Sequence, residues 1–166
     1  MANTEKLYRF LERHRISFRR WDHPPVNTVE DVHRLIPDLP GAKTKNLFLY
    51  DDKGRRYFLV TVPDGKTVDL KSLSAALDAK KLRFASPGRL ARRLGLEPGA
   101  VTLLGVVNDE ERRVQVVIDT AVWHAEAVQC HPLVNTSTLV LAVDDLRGFL
   151  EATDHTPQVL TVPERA

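Results

Sequence analysis

Cysteine is nearly absent from this chain. Cys130 is the only one, which excludes an internal disulfide framework and any C-x-x-C metal or redox pair. H-E-x-x-H is missing too. His124, Cys130 and His131 are close in sequence, but without zinc-ligand spacing no metal is expected. Gly95, Gly99 and Gly105 form no phosphate-binding fingerprint, and there is no G-x-S-x-G nucleophile elbow. No apolar run approaches the roughly 20 residues that span a bilayer. Met1 to Lys6 lack the apolar stretch of a signal peptide. A cytoplasmic protein without membrane contact is therefore expected. Charge of one sign is also scarce in excess: a net +2 is too small to argue for nucleic acid by itself.

What is present fits one soluble domain spanning residues 1–166, with 43% hydrophobic and 28% charged residues. The distribution of charge says more than its sum. Residues 80–93 carry Lys80, Lys81, Arg83, Arg89, Arg92 and Arg93 with no acid. Residues 1–20 carry six Lys or Arg against Glu5 and Glu12, whereas the C-terminal stretch leans acidic. Taken singly, each cluster reads as the solvated face of a helix; together they can orient an anionic partner.

Thr4 is placed to cap a first helix on Leu7, Phe10 and Leu11, and Ile16 and Phe18 alternate as a strand. Thr28 followed by Asp31 predicts a helix start. Asp51-Asp52-Lys53-Gly54 between two apolar segments predicts a hairpin. A short helix is expected from Asp69 to Leu77 and a strand over Lys81–Ala85. Ser86-Pro87 and Gly95 bracket a helix on which Arg89, Arg92 and Arg93 share a face. Val101–Val107 and Arg113–Asp119 read as another strand pair. Ala125–Gln129 and Thr138–Ala142 read as strands, Asp144 as the cap of a last helix, and residues 155–166 as an extended tail. Interspersed helices and several hairpins predict a mixed α/β fold, not a doubly wound parallel sheet.

Few side chains stand out chemically. Lys45 and Asn46 lie where a loop runs into an apolar strand, rigid on one side and open on the other. A lysine there suits a phosphate, and an asparagine can orient a carbonyl or a water; a solvated Lys and a turn Asn are the plainer alternative. His131 is biased towards an extended conformation by Pro132, and a neutral imidazole can donate or accept. Asn135 and Thr136 can brace the bent segment that follows. Cys130 and His131 are neighbours on an extended chain and point to opposite faces, so Cys130 reads as a buried, inert thiol.

Cys130-His131-Pro132-Leu133-Val134-Asn135-Thr136, Lys43-Thr44-Lys45-Asn46-Leu47-Phe48-Leu49, His23-Pro24-Pro25-Val26, Val68-Asp69-Leu70-Lys71-Ser72-Leu73 and Asn108-Asp109 follow one another in an order that resembles the YbaK/ProX-type aminoacyl-tRNA deacylases, the freestanding prolyl-tRNA editing proteins. The resemblance covers nearly the whole chain. It implies a curved, partly closed mixed sheet surrounded by helices, with a pocket between them. It implies hydrolysis of mischarged tRNA, alanyl-tRNA for proline first, by water attack assisted by the substrate's own ribose hydroxyl and without a cofactor. Lys45, Asn46 and His131 would be the catalytic residues. Val26, Thr28, Gly105, Asn108 and Asn135 would bind substrate, and Lys43, Arg89, Arg92 and Arg93 would contact tRNA. The partners implied are the acceptor end of proline tRNA and, transiently, prolyl-tRNA synthetase. Asn27, Leu103-Leu104 and Cys130 depart from the family pattern. Cysteinyl, seryl or threonyl esters therefore stay open as substrates, as does a catalytically silent tRNA-binding module.

Overall fold

In the computed structural model, which describes residues 3–166, the chain turns into its first helix at Asn3. The Asn3 side chain accepts from the Lys6 N–H, and α1 runs Thr4–Arg13. Thr4, expected as the cap, lies one residue inside. Its hydroxyl donates instead to the carbonyl of Pro132 at 2.9 Å, tying α1 to the His-Pro segment. Ile16 and Phe18, expected within a strand, lie just before β1 (Arg19–Asp22), whereas α2 (Val29–Leu35) is capped by Thr28 through the Asp31 N–H, as the Thr28–Asp31 spacing predicts. The predicted hairpin joins β2 (Thr44–Tyr50) to β3 (Tyr57–Pro63). There follow α3 (Leu70–Ala76), a two-residue β4 (Arg83–Phe84) and α4 (Pro87–Leu94). Gly95 closes α4 at φ 64°, a left-handed position that a side chain would strain.

A 3-10 helix, Leu103–Asn108, precedes β5 (Val114–Asp119) and the short α5 (Thr120–Trp123). Then come β6 (Ala127–Cys130), β7 (Ser137–Ala142), α6 (Val143–Ala152) and β8 (Gln158–Leu160). No side chain caps α6, so Asp144 sits within its first turn and not at the cap. Among the described residues no helix is long and apolar enough to cross a membrane.

The mixed α/β class holds. Hydrogen bonding divides the expected sheet in two: a five-stranded sheet ordered β4-β2-β3-β5-β8 and a three-stranded antiparallel sheet ordered β1-β7-β6. β5 lies parallel to both β3 and β8, so both its edges are taken. That is why residues 101–107 cannot be its hairpin partner. The Thr102 hydroxyl caps the Leu104 N–H, and Leu103, Leu104 and Val106 are all buried in the 3-10 helix. A short apolar run without a period fits any fully buried element, and the tertiary environment chose this one. Residues 155–166 are extended in part but are no loose tail. His155 is buried, β8 joins the sheet, and Val162 packs in the core.

β3 is central, and Tyr57 to Val62 are all buried. Tyr57 and Leu59 face a core shared with α1, α4 and α6, whereas Phe58, Val60 and Val62 face a second one under α3. Burial on both faces is what makes this strand read as one continuous apolar run. A third cluster, Val26, Ile36, Leu39 and Val140, seats α2 and its flanking chain on the small sheet. The two sheets meet at a parallel bridge between Ala42 and Val128, continued by the Thr44 hydroxyl donating to the Gln129 carbonyl at 3.0 Å. β4 pairs only with Leu49 and Tyr50, so the start of β2 keeps one edge open beside this seam.

Candidate active site

A cavity of about 280 Å³ opens at the seam. Its wall comes from distant parts of the chain. The approach to α2 supplies Val26, Asn27 and Thr28, α2 itself Val32 and Ile36, and the start of β2 the run Lys43 to Asn46. Asp64 after β3, Gly99 and Val101, the end of β6 with His131, and Thr138 of β7 complete it. Six of the residues singled out in the sequence thus converge: Val26, Thr28, Lys43, Lys45, Asn46 and His131. Lys45 and Asn46 are neighbours on β2, where successive side chains alternate between faces, and both border the cavity.

Asn46 is fixed in place. Its Oδ1 accepts from the buried Thr61 hydroxyl at 2.7 Å, and its Nδ2 donates to the Val101 carbonyl at 3.4 Å. Lys43 and Lys45 are half-buried, and neither makes a side-chain ion pair or hydrogen bond among the described residues.

His131 contacts the Ser137 carbonyl through Nδ1 at 3.1 Å. A carbonyl only accepts, so Nδ1 carries the hydrogen and Nε2 of the neutral ring is left as an acceptor for a ligand. Burial pushes the His131 pKa below the ordinary histidine value; the Ser137 bond opposes this, and the nearby His23 adds to it. His23 in turn lies 2.8 Å from the hydroxyl of Thr138, which is part of the cavity wall. Burial pushes the Cys130 thiol up to about 12, so it stays protonated near neutrality.

Other residues singled out in the sequence lie elsewhere. Gly105 is buried in the 3-10 helix, where a Cβ would meet Leu96 Cδ1 at 2.7 Å; it serves packing and does not reach the cavity. Asn108 ends that helix. Its Nδ2 donates to the Leu94 carbonyl, and it borders a separate opening with Lys6, Arg9 and Arg13. The family resemblance implies substrate contacts for Gly105 and Asn108; the 3-10 helix that carries both leaves them out of the cavity lining. Asn135 supports the wall from behind, donating from Nδ2 to the Val26 carbonyl at 2.8 Å and to Asn27 Oδ1 at 3.1 Å. Arg89 lies over the Tyr50 ring at 4.2 Å and Arg93 over the Tyr57 ring at 4.6 Å, with Arg92 exposed beside them. Tyr50 is five residues along β2 from Lys45, about 16 Å at the usual strand rise. This basic face is therefore outside the cavity.

Asp64, Gln129 and Thr138 were not singled out in the sequence. Asp64 had one signal: continuing the β2–β3 register one step past Thr44 and Pro63 sets it against Lys43. Among the described residues no group of three or more His, Cys, Asp or Glu side chains converges as a metal site would require.

The sequence profile described as aminoacyl-tRNA editing domain matches residues 23–149. The chain is 40% identical to the prolyl-tRNA synthetase associated domain-containing protein 1 of Danio rerio, over 95% of this chain and 86% of that one. It is 37% identical to the prolyl-tRNA editing protein ProX of Acetoanaerobium sticklandii, over 88% of this chain and 89% of that one. A crystal structure of a candidate trans-editing enzyme for prolyl-tRNA synthetase superposes with a TM-score of 0.72 at 16% identity, covering 99% of both chains, a likeness of fold.

Proposed function

This chain belongs to the aminoacyl-tRNA editing domain family and is a deacylase of mischarged tRNA, and from that premise we propose that its substrate is alanine attached to proline tRNA. The observation that carries the reading is the convergence of Lys45, Asn46 and His131 on one cavity with an apolar wall of Val26, Val32, Ile36 and Val101. An aminoacyl ester is already activated, so the protein's task is positioning. Lys45 holds a phosphate of the acceptor end. His131 accepts a hydrogen bond from the terminal ribose through Nε2. Asn46, immobilised by Thr61 and Val101, fixes the ester beside the attacking water. Water adds to the ester carbonyl, the bond to the ribose oxygen breaks, and that oxygen leaves with a proton. The neighbouring ribose hydroxyl shuttles the proton. The apolar wall admits the alanyl methyl and clashes with the prolyl ring, so that the cognate ester is spared.

The basic face of Arg89, Arg92 and Arg93 then lies along the acceptor stem. Residues 1–166 act as one editing unit in the cytoplasm, in transient contact with prolyl-tRNA synthetase. The test is a deacylation assay with alanyl, seryl, cysteinyl, threonyl and prolyl esters on one proline tRNA. Fastest loss of alanine supports the reading. Preference for another small ester moves the substrate, and binding without hydrolysis of any ester removes the enzymatic role.

A further inference from the structure

Asp64 brings to the cavity a carboxylate that no ion pair or hydrogen bond engages among the described residues, although the residue is half-buried. Nearby carboxylates are engaged: Asp31 accepts from the Asn27 N–H and Arg34, and Asp119 accepts from Lys66 at 2.6 Å. The Asp64 backbone is held firmly. Its N–H donates to the Lys43 carbonyl at 3.0 Å, and two residues on Lys66 is anchored to Asp119 and to the Val162 carbonyl. The protein thus fixes the position of this charge and leaves the charge itself unspent. Lys43 and Lys45 line the same cavity and are equally unspent. A cavity that keeps free charges of both signs matches a ligand that carries both.

We propose that Asp64 is the subsite for the α-ammonium group of the aminoacyl ester, with the lysines facing phosphate. This rests on the deacylase reading above and deepens it. The ammonium donates to the carboxylate and swings the ester carbonyl towards Asn46 and His131. Such a subsite also spares peptidyl-tRNA, whose α-nitrogen is an uncharged amide.

The test compares alanyl-tRNA with lactyl-tRNA, its isostere in which a hydroxyl replaces the ammonium, at about pH 6, below the ordinary α-amino range. Each kcat/KM is divided by the spontaneous hydrolysis rate of the same ester, because the ammonium itself activates the ester. Asp64→Asn keeps the shape and removes the charge. The variant should lose about ten- to a hundredfold on the alanyl ester, the usual worth of a charged hydrogen bond. It should leave the lactyl ester unchanged, so that the wild-type preference disappears. Because the carboxylate has no ion pair or hydrogen bond among the described residues, the thermal midpoint should stay put. Equal loss on both esters, or no loss on either, overturns the subsite while leaving the deacylase reading standing. A wild-type protein inactive on both esters overturns that reading itself.

Discussion

His131 donates through Nδ1 to the carbonyl of Ser137 at 3.1 Å, across the turn that joins β6 to β7. The bond fixes the tautomer, and burial keeps the ring uncharged. A side chain that looks like a general acid–base group is thereby held as a neutral acceptor facing the cavity.

The pH dependence follows from that state. The folded pKa of His131 is depressed, so below the unfolded value of about 6.5 the unfolded chain takes up the proton first. Its contribution to stability is complete above about pH 6.5 and declines as pH falls from there towards the folded pKa. His131→Gln should therefore lose less thermal stability than wild type between about pH 7 and pH 5. The acid limb of wild-type deacylation should have its midpoint below about 6.5. A midpoint above that value would contradict a buried, neutral His131.

Among the described residues the Lys45 side chain makes no ion pair or hydrogen bond, and its place in the ladder opposite Val62 is held by the backbone. Lys45→Ala should change stability by less than about 0.5 kcal/mol, in the range of surface substitutions. On charged tRNA its kcat/KM should fall about ten- to a hundredfold through loss of a phosphate contact. Wild-type turnover by the folded variant removes Lys45 from the mechanism.

Val26 is only 2% exposed and forms part of the apolar wall. Val26→Ala should relax rejection of prolyl-tRNA before it abolishes hydrolysis of alanyl-tRNA. A removed methylene in an apolar pocket is worth about 1–3 kcal/mol of discrimination. Measuring both esters on one tRNA body separates the amino-acid contribution from RNA recognition. If wild type hydrolyses the two equally, the cavity is no sieve.

Gly105 separates packing from chemistry. Gly105→Ala forces a methyl against Leu96 and should cost about 1–3 kcal/mol, as overpacked cores do. Turnover per folded molecule should be unchanged, because the residue does not line the cavity. A variant of normal thermal midpoint with impaired selectivity would return Gly105 to the site.

The elements legible in the sequence are those whose signals close within a few residues. Thr28 reaches the Asp31 N–H, Ser86 reaches the Arg89 N–H, and Gly95 takes a left-handed conformation without strain. The start of α1 lies one position before the predicted cap because Asn3 and Thr4 are both good caps, and the contact of Thr4 with Pro132 decides between them. Gln129 and Thr138 are invisible because no local pattern distinguishes a cavity-lining polar residue from any other strand residue, and the one signal of Asp64, its place opposite Lys43, needs the β2–β3 register.

Local chemistry in the sequence determined the hairpin, most of the helix starts, and the presence of a cation, an amide and an imidazole at Lys45, Asn46 and His131. Tertiary structure alone decided that these three share a cavity, since the seam joining Ala42 to Val128 brings together segments some 85 residues apart. It also decided that residues 101–107 coil away from the sheet. An apolar run carries no instruction beyond burial, and with both edges of β5 already paired the remaining place was the core between α4 and β3.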